Sequence, residues 1–472
     1  MSLNLWKVDW VVNAVKGRLI TAPAGYGEIK FRNISTDSRT IGSGELFVAL
    51  AGPNYDAHDF IGAAVEAGAA GIVVSENCMP SGDLTQRIVV IKTPDTLKAL
   101  GDLAAAHRRS FGIPVVAITG STGKTTTKEM LKAILLMHFG DSVLATQGNF
   151  NNLIGLPITA LRLNAKHKVA VLEMGMSMRG EIHRLTEIAM PDVGVITNIS
   201  KVHMEKLPSI VAVAEAKGEL LNQLGAEKSA VLNADDPRIV AMSKNRSFDV
   251  KTFGVDNPAN ARATDIVVRG FEGISFKLHF DEVCVAEIAL SCVGRHNVLN
   301  ALAAAQCARM LGVPTSAIVK GIQSFRPAAM RCRILDILRV KVLDDTYNAS
   351  PKSMDAALAT IKDLAPGGRQ IVVVGDMKEL GAESVAAHRR LGRHIAKNEA
   401  DYLFAIGEYA KDVVAGALEE KMPANRVIVS ENHMEIVEIL RDFVERGDIV
   451  LVKGSRSMRM ELIVRGLKGE SI

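Results

Sequence analysis

The residues best placed to do chemistry are Thr119-Gly120-Ser121-Thr122-Gly123-Lys124-Thr125-Thr126-Thr127, which follow the apolar run Val115-Val116-Ala117-Ile118. The pattern predicts a buried strand, a tight glycine turn and a helix starting near Thr125. Backbone N–H groups of such a turn, aimed outward at a helix N-terminus, form an anion site. Lys124 adds a mobile positive charge, and the Thr125 hydroxyl suits a Mg²⁺ ion held between phosphates. The usual phosphate loop has four residues between its first glycine and the Gly-Lys pair. Here position 118 is isoleucine, and only two residues separate Gly120 from Gly123. A chance Gly-Lys-Thr in a βα turn is the bland alternative. The strand, the two glycines and the run of threonines favour a nucleoside triphosphate.

Other polar residues follow predicted strands. Glu173-Met174-Gly175 ends Val169–Leu172, where a carboxylate beside a phosphate loop could hold Mg²⁺ or merely face solvent. Thr197-Asn198-Ile199-Ser200 ends the next strand and leads to His203, a residue type more often packed than metal-bound. Lys217 lies in a small-residue helix, Val211-Ala212-Val213-Ala214-Glu215-Ala216-Lys217. An exposed helical lysine is the plain reading. A lysine desolvated among alanines would lose its proton more easily, and the neutral amine could take up CO₂ as a carbamate able to bind Mg²⁺. Asn149, Asn151 and Asn152 suit turns or neutral hydrogen bonding, and Asn297 could cap a helix or read an adenine edge. Three further polar turns, Asp344–Ala349, Gly375–Leu380 and Lys453–Ser457, are each compatible with a plain βα turn, but three in one small sheet favour a shared cleft. Lys453 and Arg456 are expected at the start of a helix running from Met458, suited to a carboxylate or phosphate.

These residues must be positioned by several domains, because 472 residues exceed one core. The spacing predicts three blocks. Residues 1–95 carry short strands near Leu46–Leu50 and Gly71–Ser75 and a helix at Phe60–Ala67. Residues 96–326 alternate apolar strands with helices, the pattern of a parallel sheet. Their stretch Ala261–Cys292 alternates apolar and polar residues, which predicts a small antiparallel insertion. Residues 327–472 repeat the strand–helix alternation of a doubly wound sheet, whose ligands sit outside the carboxyl ends of the strands. The fold expected is α/β in three domains: a small α/β N-terminal domain, a central P-loop-type mononucleotide-binding domain and a C-terminal Rossmann-like domain.

Composition narrows the function classes. Hydrophobic residues make up 48% and charged residues 23%, ordinary for a globular protein, while the net charge of +4 lacks the basic runs of a nucleic-acid binder. Cys78, Cys284, Cys292, Cys307 and Cys332 form no C-x-x-C pair, which argues against a zinc or redox motif and fits a reducing compartment. Lys7, Asp9 and Lys16 break the N-terminal apolar residues, so no signal peptide is expected, and no apolar run is long enough to span a membrane.

Taken together the motifs resemble the Mur ligases over nearly the whole chain. The Thr119–Thr126 loop has that family's shortened glycine spacing. Thr36–Arg39, Gly44–Leu50 and Asp56–Phe60 resemble its uridine-nucleotide-binding first domain. Gly148–Pro157, Glu173–Gly175, Thr197–His203 and Gly294–Asn297 resemble its central motifs. Asp344–Asn348, Gly375–Gly381 and Lys453–Arg456 are similar to segments of the member that adds D-alanyl-D-alanine to UDP-N-acetylmuramoyl-tripeptide.

The resemblance implies a cytoplasmic, monomeric ATP-dependent amide ligase of peptidoglycan precursor synthesis. It implies that Gly120, Ser121, Thr122, Gly123, Lys124, Thr125 and Thr126 hold the ATP phosphates, with Thr125 and Glu173 on one Mg²⁺. His203 and a carbamylated Lys217 would serve a second Mg²⁺, and Lys124, Glu173, His203 and Lys217 would form the catalytic set. Asn297, Arg331 and Asp345 would contact adenosine or its phosphates. Ser38, Asn54 and His58 would lie at the UDP-precursor site, and Lys453 and Arg456 at the acceptor-dipeptide site. Some relatives have Gly-Arg where this chain has Met330-Arg331.

Overall fold

In the computed structural model, which describes residues 5–52, 55–78, 80, 87–364 and 367–471, the phosphate-loop strand lies inside a nine-stranded sheet. Seven strands are parallel, in the order Val143–Ala145, Val169–Glu173, Val115–Thr119, Val193–Ile196, Ser229–Asn233, Asp249–Gly254 and Ala261–Val268. Every residue of Val115–Thr119 and Val169–Glu173 is buried, because helices cover both faces of the sheet. From Val115–Thr119 the chain moves outward on one side, returns to Val169–Glu173, and then crosses to Val193–Ile196 on the other. The loop after Thr119 therefore opens at a topological switch point, where open α/β sheets bind ligands.

The alternating stretch forms antiparallel strands Ile274–Phe280 and Val283–Leu290, as expected. It is no separate insertion, however. Ala261–Val268 pairs with Asp249–Gly254, so the antiparallel strands prolong the central sheet.

Residues before the central block build a five-stranded sheet in the order Arg18–Thr21, Val89–Thr93, Gly71–Ser75, Leu46–Val48 and Ile34–Ser35. The helix Thr96–Arg109, capped by the Asp95 carboxylate on the Lys98 N–H, packs against both this region and the central one. Its Leu100 and Leu103 belong to one apolar core with Val11 and Phe31 on one side and Leu156 and Leu172 on the other. These two parts are thus joined by buried hydrocarbon.

The C-terminal sheet has the order Arg333–Ile337, Val340–Asp344, Ile449–Lys453, Gln370–Gly375, Tyr402–Ile406 and Val427–Ser430. Only its first pair is antiparallel. Placing Ile449–Lys453 between Val340–Asp344 and Gln370–Gly375 brings the three polar turns expected from sequence side by side. The helix expected from Met458 differs. Arg456–Met458 is a short 3-10 turn, Arg459 is left-handed with φ 49°, and the helix proper is Glu461–Leu467.

Candidate active site

The phosphate loop is shaped by two glycines in conformations that exclude a side chain. Gly120 has φ 148° and Gly123 has φ 81°. A Cβ on Gly120 would strike the Thr197 hydroxyl, and one on Gly123 would strike the Asn300 amide oxygen. The loop is also sewn to the turn after the neighbouring strand. Ser121 N–H donates to the Asn198 carbonyl (2.9 Å), Thr122 N–H to Asn198 Oδ1 (3.1 Å), and the Thr197 hydroxyl to the Thr122 carbonyl (2.6 Å). The shortened spacing thus yields a loop braced from outside itself.

Helix Lys124–Phe139 begins directly behind the loop. Lys124 Nζ folds back to donate to the Gly120 carbonyl at 2.8 Å. Desolvation holds its ammonium below the ordinary lysine range, opposed by the Glu173 carboxylate. Thr125 Oγ1 donates to Glu173 Oε1 (3.0 Å), which also accepts from Asn151 Nδ2 (2.7 Å). Glu173 is 1% exposed, yet its Oε2 has no hydrogen-bond partner. An unpaired buried carboxylate oxygen costs free energy. Beside a phosphate loop and a threonine hydroxyl, it has the chemistry of a Mg²⁺ ligand.

Lys217 is not the exposed lysine of the plain reading. On helix Ile210–Asn222 it is 1% exposed, with no hydrogen-bond or ion-pair partner among the described residues. Burial, reinforced by the charge of Lys124, lowers its pKa far below the usual lysine value.

His203 sits across from the C-terminal sheet. Its Nδ1 bonds the Glu379 carboxylate, which that bond holds below the usual range. The partner is a carboxylate, so Nδ1 carries the proton and Nε2 keeps its lone pair in the neutral ring. Among the described residues no three His, Cys, Asp or Glu side chains cluster as a metal cage.

Ser121 to Thr126, Glu173, His203, Asn297, Arg331, Asp345, Lys453 and Arg456 all line one cavity of about 840 Å³ between the central and C-terminal sheets. Four of them have sharper roles than sequence implied. Asn297 is the second residue of helix His296–Met310 and does not cap it. Its amide donates to the Val293 carbonyl (2.7 Å) and its oxygen accepts from Asn300 (2.9 Å). Lys453 is not at a helix start. It ends a strand, is 2% exposed, and is held by Asp345 Oδ2 (2.5 Å) and the Asn348 carbonyl (2.9 Å). Arg456 opens the 3-10 turn, half-exposed, with Nη1 on Glu461 at 3.0 Å. Arg331 stacks over Tyr347 at 3.8 Å, between Met330 and Cys332, both left-handed.

Ser38 and His58, expected at the precursor site, do not line this cavity. Ser38 is buried in the first sheet's loops. His58 is fully engaged, with Nδ1 on Asp56 at 2.5 Å and Nε2 accepting the Ser75 N–H at 3.0 Å. Asn54 lies outside the described residues. Sequence reasoning placed Asn198 and Glu379 in polar turns but missed the bracing of the loop by Asn198, the closeness of Asn300 to Gly123 and the reach of Glu379 across the cavity. The strand-end rule flags the first and the last, but no local pattern announces their partners.

Family models match along the chain: Mur ligase family, catalytic domain, over residues 30–108; Mur ligase middle domain over 118–308; and Mur ligase, glutamate ligase domain, over 330–456. A Bacillus subtilis protein named UDP-N-acetylmuramoyl-tripeptide–D-alanyl-D-alanine ligase is 34% identical over 97% of both chains. An Escherichia coli protein of the same name is 36% identical over 93% of this chain and 94% of its own. Among solved structures, MurF from Acinetobacter baumannii is similar over 100% of both chains, with TM-score 0.89 and 30% identity. MurF from Thermotoga maritima in complex with ADP is similar over 93% of this chain and 97% of its own, with TM-score 0.81 and 28% identity.

Proposed function

The chain belongs to the Mur ligase family, and on that footing we propose that it joins D-alanyl-D-alanine to UDP-N-acetylmuramoyl-tripeptide, converting ATP to ADP and phosphate, in peptidoglycan precursor synthesis. The observation that carries this reading is the single cavity shared by the phosphate loop, the free Glu173 oxygen and the three C-terminal polar turns. A triphosphate site facing a second polar domain is what activation followed by coupling requires.

Amide formation in water is uphill, so the precursor's terminal carboxylate must first be activated. It attacks the γ-phosphate, giving an acyl phosphate and ADP. The dipeptide amine then attacks that carbonyl, and phosphate leaves. Loop N–H groups from Gly120 to Thr126 cradle the phosphates, and Lys124 leaves its carbonyl partner to follow the charge on the transferring group. Thr125 and Glu173 would hold one Mg²⁺, and His203 Nε2 with Lys217, as a carbamate, would hold a second. When bound, these ions neutralise charge on the transferring phosphoryl group. Arg331, with its planar cation stacked on Tyr347, and Asn297 flank the adenosine; Asp345 fixes Lys453 beside them. Arg456 meets the acceptor carboxylate, with Lys453 supporting its turn through Asn348.

On this reading residues 1–95 bind the uridine nucleotide through Ser38, Asn54 and His58, residues 96–326 bind ATP, and residues 327–472 bind the dipeptide. The protein works as a monomer in the cytoplasm. The structure has no helix long and apolar enough to cross a membrane among the described residues, and all five cysteines are free.

The test is mass spectrometry of the product after incubation with ATP, the tripeptide precursor and D-alanyl-D-alanine. A mass gain of one dipeptide is expected, lost in Lys124→Ala. Equal ligation of a single amino acid, or ATP hydrolysis independent of the precursor, would overturn the proposal.

A further inference from the structure

One contact across the cavity joins two residues that are each under backbone strain. His203 has φ 56° and Glu379 has φ 64°, both in the left-handed region that non-glycine residues avoid. Such strain persists where the surroundings over-determine it, and it gathers at functional sites. Here it aims the two side chains at each other. His203 follows a strand of the central sheet; Glu379 follows the Gln370–Gly375 strand of the C-terminal sheet. Their hydrogen bond is therefore made between domains, 176 residues apart in the chain.

A second ion pair lies alongside it. Lys201 Nζ meets both Glu383 oxygens, at 2.6 and 2.7 Å. This pair touches neither the cavity nor the His203 ring. It closes the same two segments without orienting the imidazole.

A metal-binding histidine needs its second ring nitrogen held by an acceptor, which fixes the tautomer and the ring plane and strengthens the ligand. We infer that Glu379 is the positioning residue for His203, so that the metal site on His203 is complete only when the C-terminal domain is seated on the central one. This rests on the reading of His203 as a Mg²⁺ ligand. Its consequence is order: ATP can dock on the loop alone, but the second ion is held firmly only after the domain carrying the dipeptide has arrived. Phosphoryl transfer before the acceptor domain closes would be disfavoured.

The full-length protein with a non-hydrolysable ATP analogue and Mn²⁺ as the probe tests this by electron paramagnetic resonance titration. Glu379→Gly suits the left-handed backbone and removes the side chain with its carboxylate. It is expected to weaken one bound Mn²⁺ by about 10- to 100-fold, with analogue binding in the absence of metal unchanged. Glu379→Gln, whose amide oxygen still accepts the Nδ1 proton, recovers part of that affinity. Glu383→Gln, which loosens the same closure but leaves the Glu379 carboxylate in place, is expected to weaken Mn²⁺ binding by clearly less than Glu379→Gly. Wild-type affinity in Glu379→Gly overturns the inference, as does equal loss in Glu383→Gln or identical behaviour of the Gly and Gln variants. If His203→Ala leaves Mn²⁺ binding unchanged, the ligand role of His203 fails and the inference with it. If His203→Ala weakens binding and Glu379→Gly does not, only the inference fails.

Discussion

At the scale of single residues, the site is organised around groups left without partners. Glu173 offers one oxygen to Thr125 and Asn151 and leaves the other buried and bare. Glu173→Gln keeps the shape and the accepting oxygen but removes the charge. Steady-state kinetics should show kcat reduced by about 10²-fold or more, as when a preorganised electrostatic partner is lost, while metal-free nucleotide binding is retained. Lys217 is the complementary case, a buried amine with no counter-charge. Its folded-state pKa is lowered, so between that lowered value and 10.5 the unfolded chain holds a proton that the native state has given up. Stability therefore rises with pH across that window, by at most about 1.4 kcal/mol per unit for one proton, and is flat below it. In CO₂-depleted buffer, Lys217→Met should flatten that rise in urea-unfolding experiments across neutral to alkaline pH. It should also be more stable than wild type at the neutral end. An unchanged slope would mean that Lys217 is charged in the native state.

At the scale of elements, the phosphate loop works because its neighbours brace it. The loop's own glycines permit the turn; Thr197 and Asn198 hold it by hydrogen bonds from an adjacent element, and Asn300 lies against Gly123. Gly123→Ala places a methyl against Asn300 in a backbone with φ 81°. The shift needed to relieve it displaces the loop amides, and misplacement of about 1 Å at a reacting centre costs roughly 100-fold. The expected result is a large loss of kcat/KM for ATP with near-normal thermal unfolding, measured side by side. Element identity was largely legible here. Val115–Thr119 and Val169–Glu173 form strands at the residues their apolar runs mark. The helix expected from Met458 was misplaced, because a left-handed Arg459 breaks the backbone between the 3-10 turn and Glu461. Local apolar spacing carries no sign of that break.

At the scale of the whole molecule, two kinds of joint connect the parts. The first sheet and the central sheet share an apolar core through helix Thr96–Arg109. The central and C-terminal sheets instead meet at the cavity, where the His203–Glu379 and Lys201–Glu383 contacts cross. An exposed ion pair contributes only about 0–1 kcal/mol, enough to bias a domain equilibrium without deciding folding. Lys201→Ala should therefore leave the urea midpoint nearly unchanged. Small-angle scattering of the free protein should show a larger radius of gyration, restored by an ATP analogue with the precursor. No change in radius would mean that the polar contacts do not bias closure.

The sequence by itself determined the identity of the phosphate loop and the alternation of strands and helices, because glycine conformation and apolar periodicity act over a few residues. It also placed Glu173, His203 and the C-terminal polar turns at strand ends, where α/β sheets gather ligands. Only the tertiary structure decided which of those residues face one another. The burial of Lys217, the bare oxygen of Glu173, the capture of Lys453 by Asp345 and the reach of Glu379 to His203 all depend on strand order and domain packing. Those are contacts between residues tens to hundreds of positions apart, and desolvation and pairing follow from them alone.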